Sequence, residues 1–530
     1  MLLLLLFIAS EAGVEAAGGS SEDLTVGRKF LVVFLENIAY YHPTPATNKI
    51  QILAVRENTQ VIVTYPDGTP ENRSTLTPGV PQTFSVPSQL ELDRSETSTR
   101  VVSVNATEDV SVKVLNQRSN SFQTTLALPT DQLGTSYQIP PVPGIQMTTI
   151  PEEEVTNQVT ERSQFRLVLV NAGDQDTQVN LKDRDYTLAP GQVRQLSVEQ
   201  NMTGTEITGD KPFMVLFGHP CAIQVNCTCG LLYAPLRPKA TAALNYILPP
   251  PLLTGAEGQS VLLKPSSGNS EEVSGSMVFS DPGPVLLQRP GLLLNLVPKE
   301  DFGSCFSVVS VTGTSSWAVV LAPKDSTDKV MLGKSQNVTT SWTPVSGSDF
   351  SWTSVPLDQG EHVLWHKDGL MAVWLLGEKV PGLYYGHEAA KISKNPDYRG
   401  CVLVPEHIQV LDQQTSWQES IAECRSLDLE LISFSDAMMQ EHVYKNLKDQ
   451  DQEQDLWMGL RQSSYSGKWY WISDEALNHV DWAPGSPGSE DEGQCGSISL
   501  SSSQGLKWKH RDCCKQAKAV CYRPPELVAL

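Results

Sequence analysis

Residues 416–424 read Ser-Trp-Gln-Glu-Ser-Ile-Ala-Glu-Cys, and this stretch decides how the carboxyl-terminal part of the chain folds. Ser416 and Glu419 have the spacing of a capping box, in which each side chain accepts a hydrogen bond from the other residue's backbone N–H at a helix start. Apolar side chains then recur at i, i+4 and i+7, so one helix face is buried. These side chains are Trp417, Ile421 and Cys424.

A second helix, several tryptophans and further cysteines follow. The second helix is predicted to open near Ser435-Asp436 and to bury Met439, Val443 and Leu447. Beyond it come Trp457-Met-Gly-Leu460, Gly467-Lys-Trp469-Tyr-Trp471, Trp482, Cys495, Trp508, Cys513 and Cys521. In this order the pattern closely resembles a C-type lectin-like domain over about residues 401–523. The resemblance implies an α+β fold with the disulfides Cys424–Cys521 and Cys495–Cys513, and the tryptophans are expected in its core.

Cys401 and Cys514 are the two cysteines of this region that remain. Parity indicates that they pair with each other, although a third bridge is not part of the usual lectin-like pattern. A free Cys514, or a Cys514 bonded to another chain, is the alternative.

Sugar binding in the lectin family depends on a calcium ion, which takes six to eight oxygen ligands, largely from carboxylates and amides. The family has Glu-Pro-Asn or Gln-Pro-Asp where this chain has Ser486-Pro487-Gly488, and Asn-Asp where it has Lys509-His510. A cation at the metal position opposes calcium directly. We therefore expect no metal and no cofactor, and no calcium-dependent sugar site of the usual kind. The acidic Glu490-Asp491-Glu492 with Asp512 leaves open an ion held in another arrangement.

The loop surface of this domain is nevertheless the candidate ligand site. One alternative is a protein partner; the other is a glycan bound without metal, through exposed aromatics such as Tyr465 and through basic side chains that would attract sulfated or sialylated sugars. The basic candidates include Lys507. The predicted ligand-binding residues are Ser486, Gly488, Lys509, His510 and Arg511.

The part before residue 390 reads as short strands between Gly, Pro, Asn and Asp residues. One pattern, Thr75-Leu-Thr-Pro-Gly79, recurs 112 residues later as Thr187-Leu-Ala-Pro-Gly191, and a weaker third copy lies at residues 355–374. Repeats of one β unit bury their faces by stacking. We predict one integrated, mostly β repeat array, either sandwich-like or propeller-like, followed by a linker at residues 387–400.

Residues 24–386 resemble the N-terminal domain of IgG Fc-binding proteins. The resemblance rests on Gly27-Arg-Lys-Phe-Leu-Val-Val-Phe-Leu-Glu-Asn37, on Lys211-Pro-Phe-Met-Val215 with Gly218-His-Pro-Cys221, and on Leu248-Pro-Pro-Pro-Leu252. It implies an extracellular β-rich interaction domain of mucosal proteins, with immunoglobulin as a candidate partner.

Four cysteines belong to this first part, Cys221, Cys227, Cys229 and Cys305. The spacing of His219-x-Cys221 and Cys227-x-Cys229 could supply zinc ligands. Disulfides among the four are the preferred interpretation for a secreted chain, and four cysteines allow three pairings.

The amino terminus and the sequons predict secretion. Residues 1–16 combine an apolar run of signal-peptide length with Val14-Glu-Ala16 as a cleavage site, although no Lys or Arg precedes the run. No later segment is apolar over the length of a membrane helix. Five N-glycosylation sequons lie before residue 340, at Asn72, Asn105, Asn201, Asn226 and Asn337.

Charge and motifs narrow the function class. The 39 Lys and Arg against 60 Asp and Glu leave a net charge of −21, which argues against nucleic acid as a partner. Because no H-E-x-x-H, G-x-S-x-G or phosphate-binding glycine loop is present, we expect no enzyme. The sequence predicts a secreted recognition or adhesion protein of mucosal defence. The alternatives are a mucus or matrix component that assembles through disulfides, with Cys514 linking chains, and a calcium-dependent lectin.

Overall fold

The computed structural model describes residues 24–38, 45–93, 96–118, 121–142, 164–182, 184–223, 229–253, 260–289, 291–334, 336–447, 455–489, 493–501 and 505–528. The predicted leader, residues 1–16, lies outside them. The chain divides into two compact units, residues 1–401 with 528–530 and residues 402–527. Strands hold 51% of the described residues and helices 9%, so the described part of the chain is mostly β, as the sequence predicted.

The first unit consists of four modules, which we number in chain order. Module 1 contains β1 (Gly27–Val32), β2 (Lys49–Ala54), β3 (Thr59–Thr64), β4 (Asn72–Leu76), β5 (Gln82–Ser85), β6 (Glu96–Ser98), β7 (Val102–Arg118) and β8 (Ser121–Leu126). Module 2 contains β9 (Ser136–Gln138), β10 (Phe165–Asn171), β11 (Thr177–Leu181), β12 (Arg184–Leu188), β13 (Val193–Val198), β14 (Glu206–Gly209), β15 (Phe213–Ile223) and β16 (Cys229–Pro235).

The remaining two modules complete the first unit. Module 3 contains β17 (Leu244–Leu248), β18 (Ser260–Lys264), β19 (Asn269–Val273), β20 (Met277–Asp281), β21 (Leu286–Arg289) and β22 (Leu292–Asn295). Module 4 contains β23 (Cys305–Val309), β24 (Ser315–Pro323), β25 (Val330–Leu332), β26 (Gln336–Asn337), β27 (Thr343–Pro344), β28 (Phe350–Leu357), β29 (Glu361–His366), β30 (Ala372–Glu378), β31 (Tyr384–Glu388) and β32 (Ala390–Ser393).

Modules 1, 2 and 4 share one pattern of strand pairing. In module 1, β2 lies between β5 and β7, and β3 lies between β4 and β7. In module 2, β10 lies between β13 and β15, and β11 between β12 and β14. In module 4, β23 lies between β29 and β32, and β24 between β28 and β30. The repeated turn glycines Gly79, Gly191 and Gly360 all adopt positive φ. Because glycine adopts this conformation without steric cost, the turn keeps a glycine in each copy and the repeat can be seen in the sequence.

Module 3 is a fourth copy that the sequence did not reveal. There β18 lies between β19 and β21, and β17 pairs with β20. The turn before β20 reads Ser274-Gly275-Ser276, without the Pro-Gly or Gln-Gly signature of the other copies. Gly275 is not among the glycines with positive φ, so this turn did not require the same residues.

Neighbouring modules share their cores. On β10, Leu167 and Leu169 pack in the core of module 2, whereas the alternating Val168 and Val170 pack in the core of module 1. The same division occurs on β24, where modules 3 and 4 each receive alternate side chains. Both faces of these strands are buried, which is why they read as continuous apolar runs.

The predicted linker at residues 387–400 is corrected by the structure. Residues Ala390–Ser393 form the buried strand β32, which pairs with β23. The Lys391 ammonium reaches the backbone oxygen of Asp301 at 2.9 Å, so its stem is buried while its charge is hydrogen-bonded.

The second unit combines helices with a further sheet. Its elements are β33 (Val402–Val404), β34 (His407–Val410), α1 (Trp417–Ser426), β35 (Glu430–Leu431), α2 (Ala437–Leu447), β36 (Asp455–Gln462), β37 (Trp469–Trp471), β38 (Cys495–Ser501), β39 (Gly505–Arg511), β40 (Lys518–Arg523) and β41 (Glu526–Leu527). The strand order is β34-β40-β36-β38-β39, with β35 on β40 and β37 on β36. The described helices match the two that were predicted.

The capping box forms as the sequence indicated. Glu419 N–H donates to Ser416 Oγ at 3.3 Å, and Ser416 N–H donates to Glu419 Oε2 at 2.9 Å. Trp417 is buried and its Nε1–H donates to the Met458 oxygen at 2.8 Å, which ties α1 to β36. Trp457, Trp471 and Trp508 are fully buried, whereas Trp469 and Trp482 pack against the core while partly exposed.

Candidate functional site

Two disulfides hold the scaffold of the second unit. Cys424–Cys521 joins α1 to β40, and Cys495–Cys513 joins β38 to the segment before β40. These are the pairs that the lectin-like resemblance implies.

The predicted Cys401–Cys514 bridge is wrong in this structure. Cys401 is bonded to Cys305 on β23, with their Cα atoms 5.4 Å apart, and Cys514 is free and exposed. The pairing of Cys305 within its own amino-terminal group is therefore corrected as well. Because Cys401 ends the main stretch of the first unit, its partner is set by that unit's packing rather than by lectin-like spacing.

The other amino-terminal cysteines are only partly described. Cys221 is disulfide-bonded, while the side chains of Cys227 and Cys229 lie outside the described residues. His219 is buried, its Nδ1 accepts the Cys221 N–H at 3.1 Å, and its ring contacts that of Phe165 edge-on. Over the described ranges, no group of three or more His, Cys, Asp or Glu side chains could hold a metal ion.

Three of the predicted ligand-binding residues meet in one place, which we call the loop site. His510 Nδ1 lies 3.1 Å from Ser486 Oγ and accepts the Gly488 N–H at 3.3 Å. The Ser486–Pro487 peptide bond is cis.

The other two predicted residues lie on a different face. Lys507, Lys509 and Arg511 alternate along β39 with Trp508 and His510, and successive side chains of a strand point to opposite faces. This strand face, with Lys507, Lys509 and Arg511, is here called the basic stripe. Lys509 and Arg511 are therefore not brought together with the loop site.

Acidic side chains neutralise most of the basic stripe. Lys507 pairs with Asp481 at 2.5 Å, and Asp455 pairs with both Lys509 at 3.1 Å and Arg511 at 3.5 Å. Three basic side chains thus face two carboxylates. An anionic glycan would have to compete with these ion pairs, a cost that the sequence did not reveal.

The donors of the loop site do not resemble a calcium shell. Ser486, Gly488 and His510 contribute a hydroxyl, a backbone amide and an imidazole, and none of them is a carboxylate. Glu490-Asp491-Glu492 lies outside the described residues. Asp512 accepts the backbone N–H of Cys514 at 3.0 Å through Oδ1.

The second unit also contains features at a distance in sequence from these residues. Tyr465 stands 99% exposed in the turn between β36 and β37. A cavity of about 450 Å³ is lined by polar residues that include Arg425, Glu475 and Arg523. Within it Ser433 Oγ donates to Glu475 Oε2 at 2.9 Å. Sequence reasoning missed this cavity because its residues form no local motif.

The described sequon asparagines are exposed. These are Asn72, Asn105, Asn201 and Asn337, while Asn226 lies outside the described residues. No helix in the described part of the chain has the length and apolarity needed to cross a membrane.

Comparisons with known proteins find similarity in both parts of the chain. The IgGFc binding protein family model matches residues 123–264, and the Lectin C-type domain model matches residues 413–523. Human C-type mannose receptor 2 is 32% identical over 114 residues, 22% of this chain and 7% of that protein. Human IgGFc-binding protein is 26% identical over 255 residues, 45% of this chain and 4% of that protein.

The chain therefore spans a small part of the length of these relatives. The crystal structure of human lithostathine is similar at 23% identity and a TM-score of 0.21, covering 22% of this chain and 82% of that one. The carboxyl-terminal unit has the C-type lectin fold. Residues 123–264 are therefore similar to the IgGFc binding protein family and residues 413–523 to the Lectin C-type domain family, in the order that the sequence predicted.

Proposed function

We propose that this chain is a secreted, extracellular recognition protein. Its second unit, residues 402–527 and here called the lectin unit, binds a glycan or protein ligand without the usual calcium-dependent sugar site. The observation that carries the proposal is the loop site, in which His510 is hydrogen-bonded to Ser486 and Gly488. A calcium ion that binds a sugar needs six to eight oxygens. The loop site supplies a ring nitrogen and a backbone amide where that chemistry needs carboxylates.

The names of the relatives support recognition as the function class. A mannose receptor and an IgGFc-binding protein are binding proteins, and the matched families are not enzymes. For this chain we propose Ser486, Gly488 and His510 as the ligand-contacting group, with Tyr465 as an exposed ring on which a sugar can stack. Lys509 and Arg511 form a second contact surface only for a ligand that displaces Asp455.

The test is a glycan array probed with the full chain in calcium and in EDTA, with His510→Ala as the site variant. His407→Ala is the matched control, since His407 is exposed on β34 of the same unit. We expect binding that survives EDTA, falls at least tenfold in His510→Ala and stays unchanged in His407→Ala. Binding abolished by EDTA would show a calcium-dependent lectin and contradict the proposal. If no glycan binds, protein ligands are tested next, beginning with immunoglobulin.

A second function is favoured by the exposed free thiol of Cys514. In this alternative the protein is a mucus or matrix component that assembles through intermolecular disulfides. Non-reducing electrophoresis of wild-type protein and Cys514→Ser separates the two functions. Multimers that disappear in Cys514→Ser support assembly, whereas a wild-type monomer contradicts it.

Secretion, glycosylation and organisation remain part of the proposal. We propose that residues 1–16 are a signal peptide and that the exposed sequons carry glycans, so treatment with an N-glycosidase should lower the apparent mass.

We also propose that the region resembling IgG Fc-binding proteins at residues 24–386 is an array of stacked sandwiches. In module 2, for example, side chains of β10 and β11 face each other across one core.

A further inference from the structure

Among the described residues, no strand fills one sheet edge of module 3 that is filled in the other three modules. Strand β17 corresponds to β2 in module 1, β10 in module 2 and β23 in module 4. Each of these three strands has a second antiparallel neighbour, which is β7, β15 or β32, respectively. Among the described strands, β17 pairs with β20 alone. An edge strand without a second neighbour presents backbone N–H and C=O groups to whatever lies beside it.

A side chain occupies part of the place that a strand takes elsewhere. After β22 the chain passes Pro298 and forms a short 3-10 turn at Lys299–Asp301 instead of a seventh strand. Glu300 then accepts the Asn245 backbone N–H at 3.0 Å and its side-chain amide at 2.7 Å. The carboxylate supplies the acceptor that a neighbouring strand's carbonyl would otherwise supply.

A cleft of about 700 Å³ lies beside this edge. Its walls are mostly apolar or small, including Leu24, Ala242, Leu244, Tyr246 and Leu296. The cavity lies in the size range of ligand sites and has the apolar lining that alternate side chains of an added strand would need.

Other charged groups around the cleft are already in ion pairs. Arg237 pairs with Asp301 at 3.1 Å and with Glu388 at 2.5 Å, and Lys239 pairs with Glu206 at 3.1 Å. Glu300 instead hydrogen-bonds an amide, so its negative charge favours a basic side chain on an incoming ligand.

We propose that this cleft binds an extended peptide segment of a partner protein, which adds to module 3 as a strand antiparallel to β17. Its side chains are apolar at alternating positions, with a basic side chain beside Glu300. The chain's own segment before Leu24 reads Gly18-Gly-Ser-Ser-Glu-Asp23, a poor strand former whose acids would face Glu300. This inference is independent of the lectin unit and of the function proposed for it.

The test measures fluorescence anisotropy of a labelled peptide with the sequence of residues 109–117, Asp-Val-Ser-Val-Lys-Val-Leu-Asn-Gln, which fills this edge in module 1. We expect saturable binding to the full chain and none with a scrambled peptide of the same composition. Asn245→Pro removes an edge N–H that β20 does not use. Glu300 accepts this N–H in the free chain, and the carbonyl of an added strand would displace that carboxylate toward the basic side chain of the ligand. The substitution should weaken binding at least about tenfold.

A second variant tests the cleft independently, in case Asn245→Pro misfolds. Ala242→Trp fills the cleft from an exposed position, so it should also weaken binding about tenfold, while Val80→Trp on an exposed turn of module 1 should not. Absence of binding to the wild-type chain overturns the proposal. So does wild-type affinity in both cleft variants when their circular dichroism is unchanged.

One further outcome identifies a different occupant. If a chain beginning at Leu24 binds the peptide and the full chain does not, the protein's own amino-terminal segment covers the cleft, and the partner proposal is overturned. The cleft variants are also assayed on the glycan array. Unchanged glycan binding there separates failure of this inference from failure of the function proposed for the lectin unit.

Discussion

Removing the Cys305–Cys401 disulfide should destabilise the first unit measurably. The bridge closes a loop with a sequence separation of 96 residues. In the chain-entropy model, a loop of this length stabilises the folded state by about 4.7 kcal/mol through the unfolded chain. Both cysteines are fully buried, so Ala is the appropriate replacement because it introduces no buried hydroxyl.

The expected shift in melting temperature follows from the size of the unit. With an unfolding entropy of about 2.1 cal/mol/K per residue, roughly 400 residues unfolding together would lower Tm by about 6 °C. If module 4 unfolds alone, fewer residues share the loss and the shift is larger. We therefore expect Cys305→Ala with Cys401→Ala to lower the Tm of the first unit by at least about 6 °C.

Calorimetry of the full chain measures Tm, and non-reducing peptide mapping identifies which cysteines are joined. Cys514→Ala is the control, because its thiol is exposed and free, and it should leave Tm unchanged. A shift below about 2 °C in the double variant would refute the entropic reasoning. A peptide map that joins Cys401 to Cys514 would refute the connectivity itself.

Three further predictions concern single side chains. Ser416→Ala removes the α1 cap and should lower the unfolding free energy of the lectin unit by about 1 kcal/mol, measured by urea denaturation. Trp417→Phe removes the hydrogen bond to the Met458 oxygen and should lower the same free energy by about 1–3 kcal/mol. Burial lowers the pKa of Lys113 to about 7, so the unfolded chain binds one more proton than the folded chain between about pH 7 and pH 10. Stability of the first unit should therefore rise with pH across that window, and Lys113→Met should flatten the rise.

The controls for these variants differ in kind. Ser466→Ala, in the turn before β37, should leave the urea midpoint unchanged, and an equal loss in Ser416→Ala and Ser466→Ala would contradict the capping argument. For Trp417→Phe, a loss of well under 1 kcal/mol would contradict the hydrogen bond. For Lys113→Met, an unchanged slope of stability against pH would show that Lys113 keeps its charge when buried.

Local sequence rules predicted the lectin unit well. The capping box at Ser416, the apolar spacing that follows it and the order of tryptophans and cysteines each describe contacts close in sequence or constrained by one small core. The sequence also showed that Ser486, Gly488 and His510 differ from the calcium-binding residues of the lectin family, because they stand at recognisable positions of the family's pattern. The hydrogen bonds that join these three residues required the folded loop, because they cross more than 20 residues of chain.

Other predictions failed for identifiable reasons. The basic stripe looked available in sequence, but Asp455 and Asp481 approach it from β36 and from the segment before β38. Residues 390–393 were predicted to belong to a linker, but they form a strand that pairs with β23, a contact between segments more than 80 residues apart. Module 3 was missed because its turn does not need the glycine conformation that marks the other copies.

The sequence by itself determined the order of the two regions, the β character of the first, the helices of the second, and the lectin-like disulfides. The strands and helices follow from periodicity and capping, which act over a few residues, whereas the order of the regions and the disulfide pairs are what the two family resemblances imply. Only the tertiary structure decided that Cys401 bonds Cys305, that most of the basic stripe is neutralised and that β17 has a single strand partner among the described strands. Each depends on which distant segments pack side by side, and packing of a whole core, rather than the local chain, selects those neighbours.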